Sequence, residues 1–399
     1  MDIKELIQNK ILEIEDRVIE IRRLIHANPE LGFEEEETAR MITEILQDNG
    51  IPHTTGVART GVVGIIKGNK TTPVIALRAD MDALSIEEKN KNDYASKNKG
   101  KMHACGHDAH IAILLGTAIV LNTYKEQLAG QVKLIFQPAE EGPGGAEPMI
   151  NEGVLANPSV DAIFGLHVWT GIEAGFIGVK DGPFFASVDD FNLIIKGSSS
   201  HGAYPDQGVD AIVIAANVVN TLQTIVSRNI EPTEEVVLTI GKVEGGYRRN
   251  IIADQVRLEG TIRCFSLDIR DLIEDRFKKI VSGICEGYGG DFELEYMRMY
   301  PALINDIEMN RLLRNTAVEV IGEDRVIAVE RPTLGGEDFA YFLKEIPGSF
   351  FLLGAGNEEK GITAPHHNPY FDIDEDILSI GVEILTQTTV NFFKKWKEA

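Results

Sequence analysis

Residues 131–145 read QVKLIFQPAEEGPGG, and the fold follows from this stretch. Val132–Gln137 is a short apolar run stopped by Pro138; two adjacent carboxylates, Glu140 and Glu141, and a Gly/Pro-rich loop follow it. A run apolar at nearly every position, rather than at every second one, predicts a strand covered on both faces. The same style recurs on either side. Gly61–Lys67, Val74–Ala79 and Ala162–Val168 are further apolar runs between turn residues, and Ala109–Leu121 reads as a helix buried on most sides. Strands alternating with helices predict an α/β domain: a mostly parallel sheet covered by helices, with functional residues at the strand ends.

Toward the N-terminus, Ile3, Leu6, Ile7, Ile11, Ile14, Val18, Ile21 and Ile25 fall on one helical face; Pro29 and Gly32 then interrupt before a helix over Glu36–Asn49. Past residue 186 the rhythm changes. Strand Asp190–Gly197, helix Val209–Val226, strands Glu235–Val243 and Gln255–Cys264, helix Asp268–Cys285 and strand Phe292–Met299 give the order β-α-β-β-α-β. That order describes a small layered unit with two helices on one face of a sheet. After Pro301 the α/β style returns, with a helix near Asp306–Ile321, strand Phe350–Leu353 and an amphipathic helix from Asp376 onward. The expected organisation is a discontinuous domain, 1–185 and 298–399, with 186–297 inserted as a second domain. Three consecutive domains remain the alternative.

The chain has 399 residues, with 39 Lys and Arg against 62 Asp and Glu, a net charge of −23. Such a field repels nucleic acid and anionic membrane surfaces, so neither is an expected partner. The longest apolar run, Ile111–Leu121, is shorter than the roughly 18 residues a membrane span needs. The first residues, MDIKELIQNKILEIEDR, mix charges into a helical pattern and lack a signal-peptide core. Three cysteines, Cys105, Cys264 and Cys285, are too few for a disulfide framework, and a cytoplasmic setting is expected.

Of the nine histidines, all but His26 and His53 fall in a few motifs. His103, His107 and His110 lie in KMHACGHDAH, His167 in FGLHVW, His201 in GSSSHGAYPDQG, and His366 and His367 in APHHNPYFDID. In Cys105-Gly106-His107 a thiolate and an imidazole can converge on one ion, with Asp108 holding the imidazole tautomer; a buried Cys beside a helix-capping pair reads equally well. Glu140 and Glu141 cannot both point the same way. One can bind a metal while its neighbour takes a proton from water, although a bare acidic turn is the commoner meaning of such a pair. Asp80 and Asp82, two apart at a strand end, can ligate, or Asp82 can hold a histidine ring; a solvated pair fits the pattern as well. Together, Cys105, His107, Glu141, His167 and His367 all fall at strand ends or in the loops after them. Sulfur with imidazole suits zinc, cobalt, nickel or manganese better than magnesium or calcium.

These motifs, with RRLIHANPELGFEEEETA, LRADMDALSI, GTIRCF and GGEDFA, resemble the aminoacylase/carboxypeptidase G-type metallopeptidase superfamily. HACGHD with PAEE is similar to its amidohydrolase branch, which includes N-acyl-amino-acid amidohydrolases, hippurate hydrolases and indole-acetyl-amino-acid hydrolases. The resemblance runs from Arg22 to Asp374. It implies a catalytic domain and an inserted lid that mediates dimerisation or higher homo-oligomer assembly. It also implies two divalent ions per subunit, held by Cys105, His107, Glu141, His167 and His367, with Glu140 as general acid and base. It further implies a supporting role for Asp82, oxyanion stabilisation by His201 in the partner subunit's site, and substrate contacts from Asn250 and Arg263. The doubled histidine leaves His366 as a competitor of His367; the H-N-P-Y-F spacing favours His367.

The implied activity is hydrolysis of N-acyl-L-amino acids. A metallo-carboxypeptidase, a dipeptidase or an N-acetyldiaminopimelate deacetylase of the same family is the alternative. Two other classes compete: a thiol hydrolase with Cys105 as nucleophile, which leaves Glu140, Glu141, His167 and His367 without a task, and a non-catalytic binding clamp.

Overall fold

The computed structural model describes residues 3–398. The chain divides into two compact units: 1–182, 304–331 and 341–399 form the first, and 183–303 with 332–340 form the second.

The first unit is built on an eight-stranded sheet in the order His53–Val57, Gly61–Lys67, Gln131–Gln137, Val74–Asp80, Ala162–Glu173, Gly348–Gly356, Ile177–Val179 and Val326–Ala328. Its four central strands, from Gln131–Gln137 to Gly348–Gly356, run parallel, while antiparallel pairings occur toward its edges. Every residue of Val74–Asp80, Gln131–Gln137 and Gly348–Gly356 is buried, as strands covered on both faces must be. Helix Ile3–His26 buries Ile7, Ile11, Ile14, Val18, Ile21 and Ile25 along one stripe, each contributing about 1.5–3 kcal/mol relative to an exposed position. Helix His107–Thr123 is buried at nearly every position, and Ile377–Glu398 packs against it and against Ile3–His26.

The second unit is an antiparallel sheet in the order Asp291–Arg298, Ser187–Lys196, Gln255–Cys264, Val237–Gly245. Burial alternates along Ser187–Lys196. Phe191, Leu193 and Ile195 share a core with Ile214, Val218 and Leu222 of helix Ala211–Thr224 and Ile273, Phe277 and Val281 of helix Leu267–Gly287. Asp210 starts the first of these helices by accepting the N–H groups of Ile212 and Val213, at 2.9 and 3.3 Å. With the following turn, 211–229 reaches a length and mean hydropathy (1.2) that would suffice to cross a bilayer; its buried residues include Ala211, Ile214, Ala215, Val218 and Leu222.

The segment 332–340, expected with the larger domain, groups with the second unit. The reason is backbone pairing: Thr333 N–H donates to Phe184 O at 2.9 Å, and Ala186 N–H to Thr333 O at 3.1 Å. Residues 298–303 group there too, and 183–185 complete its N-terminal boundary.

Candidate metal centre

Three parallel strands and one helix of the first unit deliver the chemistry. Cys105 lies just before helix His107–Thr123, and Gly106 between them has φ +90°, a conformation only glycine adopts freely. A Cβ there would come within 2.3 Å of Val168 Cγ2, so the turn also needs glycine for space. Glu140 and Glu141 follow strand Gln131–Gln137, past Ala139 with φ +54°. Ala139 is held there by Glu35, a buried carboxylate that accepts its N–H at 2.9 Å and the Thr60 hydroxyl at 2.6 Å. Asp82, just beyond Val74–Asp80, accepts the N–H of Glu140 at 2.9 Å through one oxygen and that of Glu141 at 3.0 Å through the other. His167 projects from Ala162–Glu173, and His367, at φ +61°, is tied by its N–H to Ala104 O at 2.8 Å.

The donor atoms of Cys105, His107 and His167 lie within 4.8 Å of one another, as do those of Cys105, Glu141 and His367, and of His107, Glu140 and Glu141. Cys105 is therefore common to two triads. Its Sγ is 3.3 Å from His167 Nε2, and His367 Nε2 is 3.1 Å from Glu141 Oε1.

The hydrogen bonds fix the tautomers, because a carbonyl can only accept. His107 Nδ1 donates to Asp82 O at 2.9 Å, and His167 Nδ1 donates to Val168 O at 2.6 Å. Each ring therefore keeps a proton on Nδ1 and turns Nε2 inward. His107 Nε2 is buried without a hydrogen-bond partner, and so is Glu141 Oε1 despite the nearby His367. Orphaned buried polar atoms of this kind are costly unless something binds them.

The electrostatics point the same way. Burial opposes a charge on His107, but Asp80, then Asp82 and Glu141, push it up to about 10. Burial and the charges of Glu141 and Glu140 push the Cys105 thiol well up, so it stays protonated until a cation arrives. Burial opposes ionisation of Glu141, yet the adjoining His367 imidazole and the charge of His107 hold it below the usual carboxylate range. Burial, reinforced by His110 and His366, holds His167 far below the usual imidazole value, which leaves it neutral and able to ligate. A pocket that draws positive charge and turns two imidazole Nε2 atoms, a thiol and a carboxylate inward fits one or two divalent cations, which on binding would displace the proton that the carboxylates otherwise keep on His107.

Two local expectations change. Asp108 does not hold His107; its Oδ2 accepts from Arg22 Nε at 2.8 Å and His26 Nδ1 at 2.7 Å. Asp82 meets His107 chiefly through its backbone carbonyl, while its carboxylate shapes the Glu140–Glu141 loop. His366 spends its Nε2–H on Val168 O at 2.9 Å, so His367 is the histidine beside Glu141. Glu35 and His110 were not singled out as site residues by the sequence; an acid or imidazole flanking apolar residues carries no spacing signal.

The remaining expected residues lie in the second unit. His201 is exposed, accepts Ala203 N–H at its Nδ1 at 3.0 Å and forms a bridge with Ile251. Asn250 is exposed, and its carbonyl accepts Gly202 N–H at 2.9 Å. Arg263 is half-buried; burial lowers its pKa against the opposing charges of Asp190 and Asp189.

The sequence profile described as Peptidase family M20/M25/M40 matches residues 76–391. Thermostable carboxypeptidase 2 of Saccharolobus solfataricus is 40% identical over 399 residues, covering 99% of this chain and 100% of that protein. N-acetyl-L-cysteine deacetylase of Bacillus subtilis is 41% identical over 362 residues, covering 91% and 85%. The crystal structure of Bacillus subtilis YXEP, a dinuclear metal-binding peptidase of the M20 family, superposes with TM-score 0.84 at 36% identity, covering 96% of this chain and 99% of that one. With more than half of its length matched, this chain belongs to the M20/M25/M40 peptidase family and is a metal-dependent hydrolase of amide bonds.

Proposed function

We propose that the protein hydrolyses the amide bond of N-acyl-L-amino acids, with Glu140 as general acid and base. Cys105, His107, His167, Glu141 and His367 would hold two divalent ions of the zinc, manganese, cobalt or nickel type. Ions so held polarise the acyl carbonyl and acidify water toward neutrality. Glu140, buried beside His107 and Glu141, takes a proton from the attacking water. The water oxygen bonds to the acyl carbon, the carbon–nitrogen bond breaks, and Glu140 returns the proton to the departing amine. His201, from a partner copy in a dimer assembled through the second unit, donates to the developing oxyanion. Arg263 and Asn250 hold the substrate carboxylate. Three cysteines without disulfide partners are in keeping with a reducing, cytoplasmic setting.

The observation that carries this reading is the bidentate grip of Asp82 on the N–H groups of Glu140 and Glu141, which fixes two adjacent carboxylates for separate tasks. The deacetylase relative supports the substrate class. The carboxypeptidase relative favours a second reading, in which the acyl group is a peptide; both share an amide whose nitrogen belongs to an amino acid with a free carboxylate. The test is release of free amino acid from N-acetyl, N-benzoyl and indole-acetyl amino acids against dipeptides and longer peptides, after chelation and reloading with each metal. The simple acyl amino acids are expected to be the better substrates. Glu140→Gln should lower kcat by about a hundredfold or more while retaining metal; faster turnover of peptides selects the second reading, and ordinary activity in Glu140→Gln removes the base.

A further inference from the structure

Val168, the residue after His167, is surrounded by three imidazoles. Its N–H donates to His110 Nε2 at 2.9 Å, and its carbonyl accepts from His167 Nδ1 at 2.6 Å and His366 Nε2 at 2.9 Å. Pairing of this strand with Val74–Asp80 is registered only as far as Gly165, so side chains take over beyond that point. Because a backbone N–H can only donate, His110 Nε2 must carry a lone pair and Nδ1 the proton. That proton goes to Asp80 Oδ1, 2.6 Å away, while Arg78 Nη1 holds the other oxygen of Asp80 at 2.8 Å. Arg78 is itself anchored by Gln137 at 2.9 Å. His110 and Asp80 are both essentially inaccessible to solvent, and the His110 and His167 rings meet edge to face at 4.8 Å.

We propose that His110 is a positioning residue for the metal centre: held by Asp80, it takes the N–H of the 167–168 peptide and so holds the backbone at Val168, whose carbonyl in the next peptide keeps the His167 proton on Nδ1 and Nε2 toward Cys105. The chain of enforcement is complete at each atom. Arg78 orients Asp80, Asp80 sets the His110 tautomer, His110 takes the Val168 N–H, and the Val168 carbonyl takes the His167 proton. His110 reaches His167 in two ways, through the backbone of Val168 and through the edge-to-face contact of the two rings. It also lies three residues along the helix from His107, so the same helical turn that supplies one metal-facing imidazole orients another. The inference rests on the reading of Cys105, His107 and His167 as ligands.

The test uses the full chain loaded with Co2+, read by chelator competition and by visible absorption, with thermal unfolding alongside. His110→Leu removes the acceptor and should weaken Co2+ binding by about tenfold to a hundredfold and alter the absorption bands. His110→Gln can accept the Val168 N–H through its amide oxygen and donate to Asp80, so it should recover most of the affinity and the parental spectrum. Equal affinity and spectrum in His110→Leu and the parent overturn the role of His110 alone; equal loss in both variants, tracking their unfolding temperatures, assigns His110 to stability and also overturns it. A parent chain that binds no Co2+ overturns the centre itself. Should His110→Leu fail to fold, 15N-histidine NMR of the parent decides: protons on Nδ1 of both His110 and His167 are expected, and an Nε2 proton on either overturns the relay.

Discussion

The Asp82 carboxylate meets Glu140 at its backbone rather than at its acid: one Asp82 oxygen accepts the Glu140 N–H at 2.9 Å, and the other accepts the Glu141 N–H at 3.0 Å. An isosteric Asp82→Asn replaces one acceptor by a donor, so one of the two N–H groups faces another N–H. A buried donor left without a partner costs about 1–3 kcal/mol. The expected outcome is a lower unfolding temperature together with about tenfold or greater loss of divalent-ion affinity, measured by calorimetry and chelator competition. Unchanged affinity would show that the loop keeps its shape without Asp82.

Arg22 ties helix Ile3–His26 to the metal-bearing helix. Its guanidinium is fully buried and donates to Asp108 at 2.8 Å, Asp372 at 2.8 Å and Glu375 at 3.2 Å. Arg22→Met leaves Asp108 buried beside His26 without its main cation. Breaking one side of such a pair costs about 3–5 kcal/mol, so denaturant unfolding should shift by about that much. A shift under about 1 kcal/mol would mean that His26 compensates.

Acid sensitivity has an assignable contributor at Asp374. Burial opposes its charge, but hydrogen bonds from Lys360 Nζ and Asn357 Nδ2, both at 2.6 Å, hold its pKa below the usual carboxylate range. A depressed folded-state pKa means the stabilisation is present above about pH 4 and is lost as pH falls below it. Lys360→Met should therefore make the fall of unfolding free energy below pH 4 shallower than in the parent, and leave its slope near neutrality unchanged. Identical acid limbs would sink this assignment.

Much of this was legible in the sequence because it depends on local pattern. Continuous apolar runs gave the buried strands, and the β-α-β-β-α-β order gave a sheet with helices on one face, which the alternating burial of Ser187–Lys196 matches. The convergence of Cys105, His107, Glu141, His167 and His367 was legible because Cys, His and Glu in motif spacing are chemically distinctive. What pattern could not supply was long-range partnership. Asp108 belongs to Arg22 and His26, 86 and 82 residues away, rather than to its neighbour His107. Lys133 looks like a blemish in an apolar strand, yet its ammonium group donates to three carbonyls, of Val154, Ala156 and Pro158, at 2.7, 2.8 and 2.9 Å. The 332–340 segment follows hydrogen bonds to Phe184 and Ala186, which no local periodicity records.

Those three carbonyls make Lys133 a test of how a buried cation stabilises a loop without any acid nearby. Lys133→Met keeps the apolar stem and volume but removes all three donors. The Val154 carbonyl lies in a buried residue whereas Ala156 is exposed and can regain water, so the expected loss is about 1–3 kcal/mol, with faster amide hydrogen exchange confined to the 154–158 loop. Catalytic constants at saturating metal should stay within about twofold, since surface-side stability effects are usually separable from a distant site. A neutral effect on stability would mean that water already serves these carbonyls.

The last expectation concerns Cys105, whose sulfur can serve either as a ligand or as a nucleophile. Nucleophilic thiols are kept ionised by a neighbouring cation or helix terminus. Cys105 does sit before a helix N-terminus and beside His107, which its carboxylate neighbours keep charged, but burial, Glu141 and Glu140 outweigh both and push the thiol well up, and His167, 3.3 Å away, is held neutral. Without a divalent ion the thiol should therefore react slowly with iodoacetamide at neutral pH, and with the ion bound the sulfur is occupied and should react more slowly still. A chelator should abolish amide hydrolysis within its exchange time, and added zinc, manganese or cobalt should restore it. Rapid, metal-independent inactivation by the alkylating agent, with activity surviving the chelator, would instead make Cys105 the nucleophile, because only an ionised thiol at an uncoordinated site can behave that way.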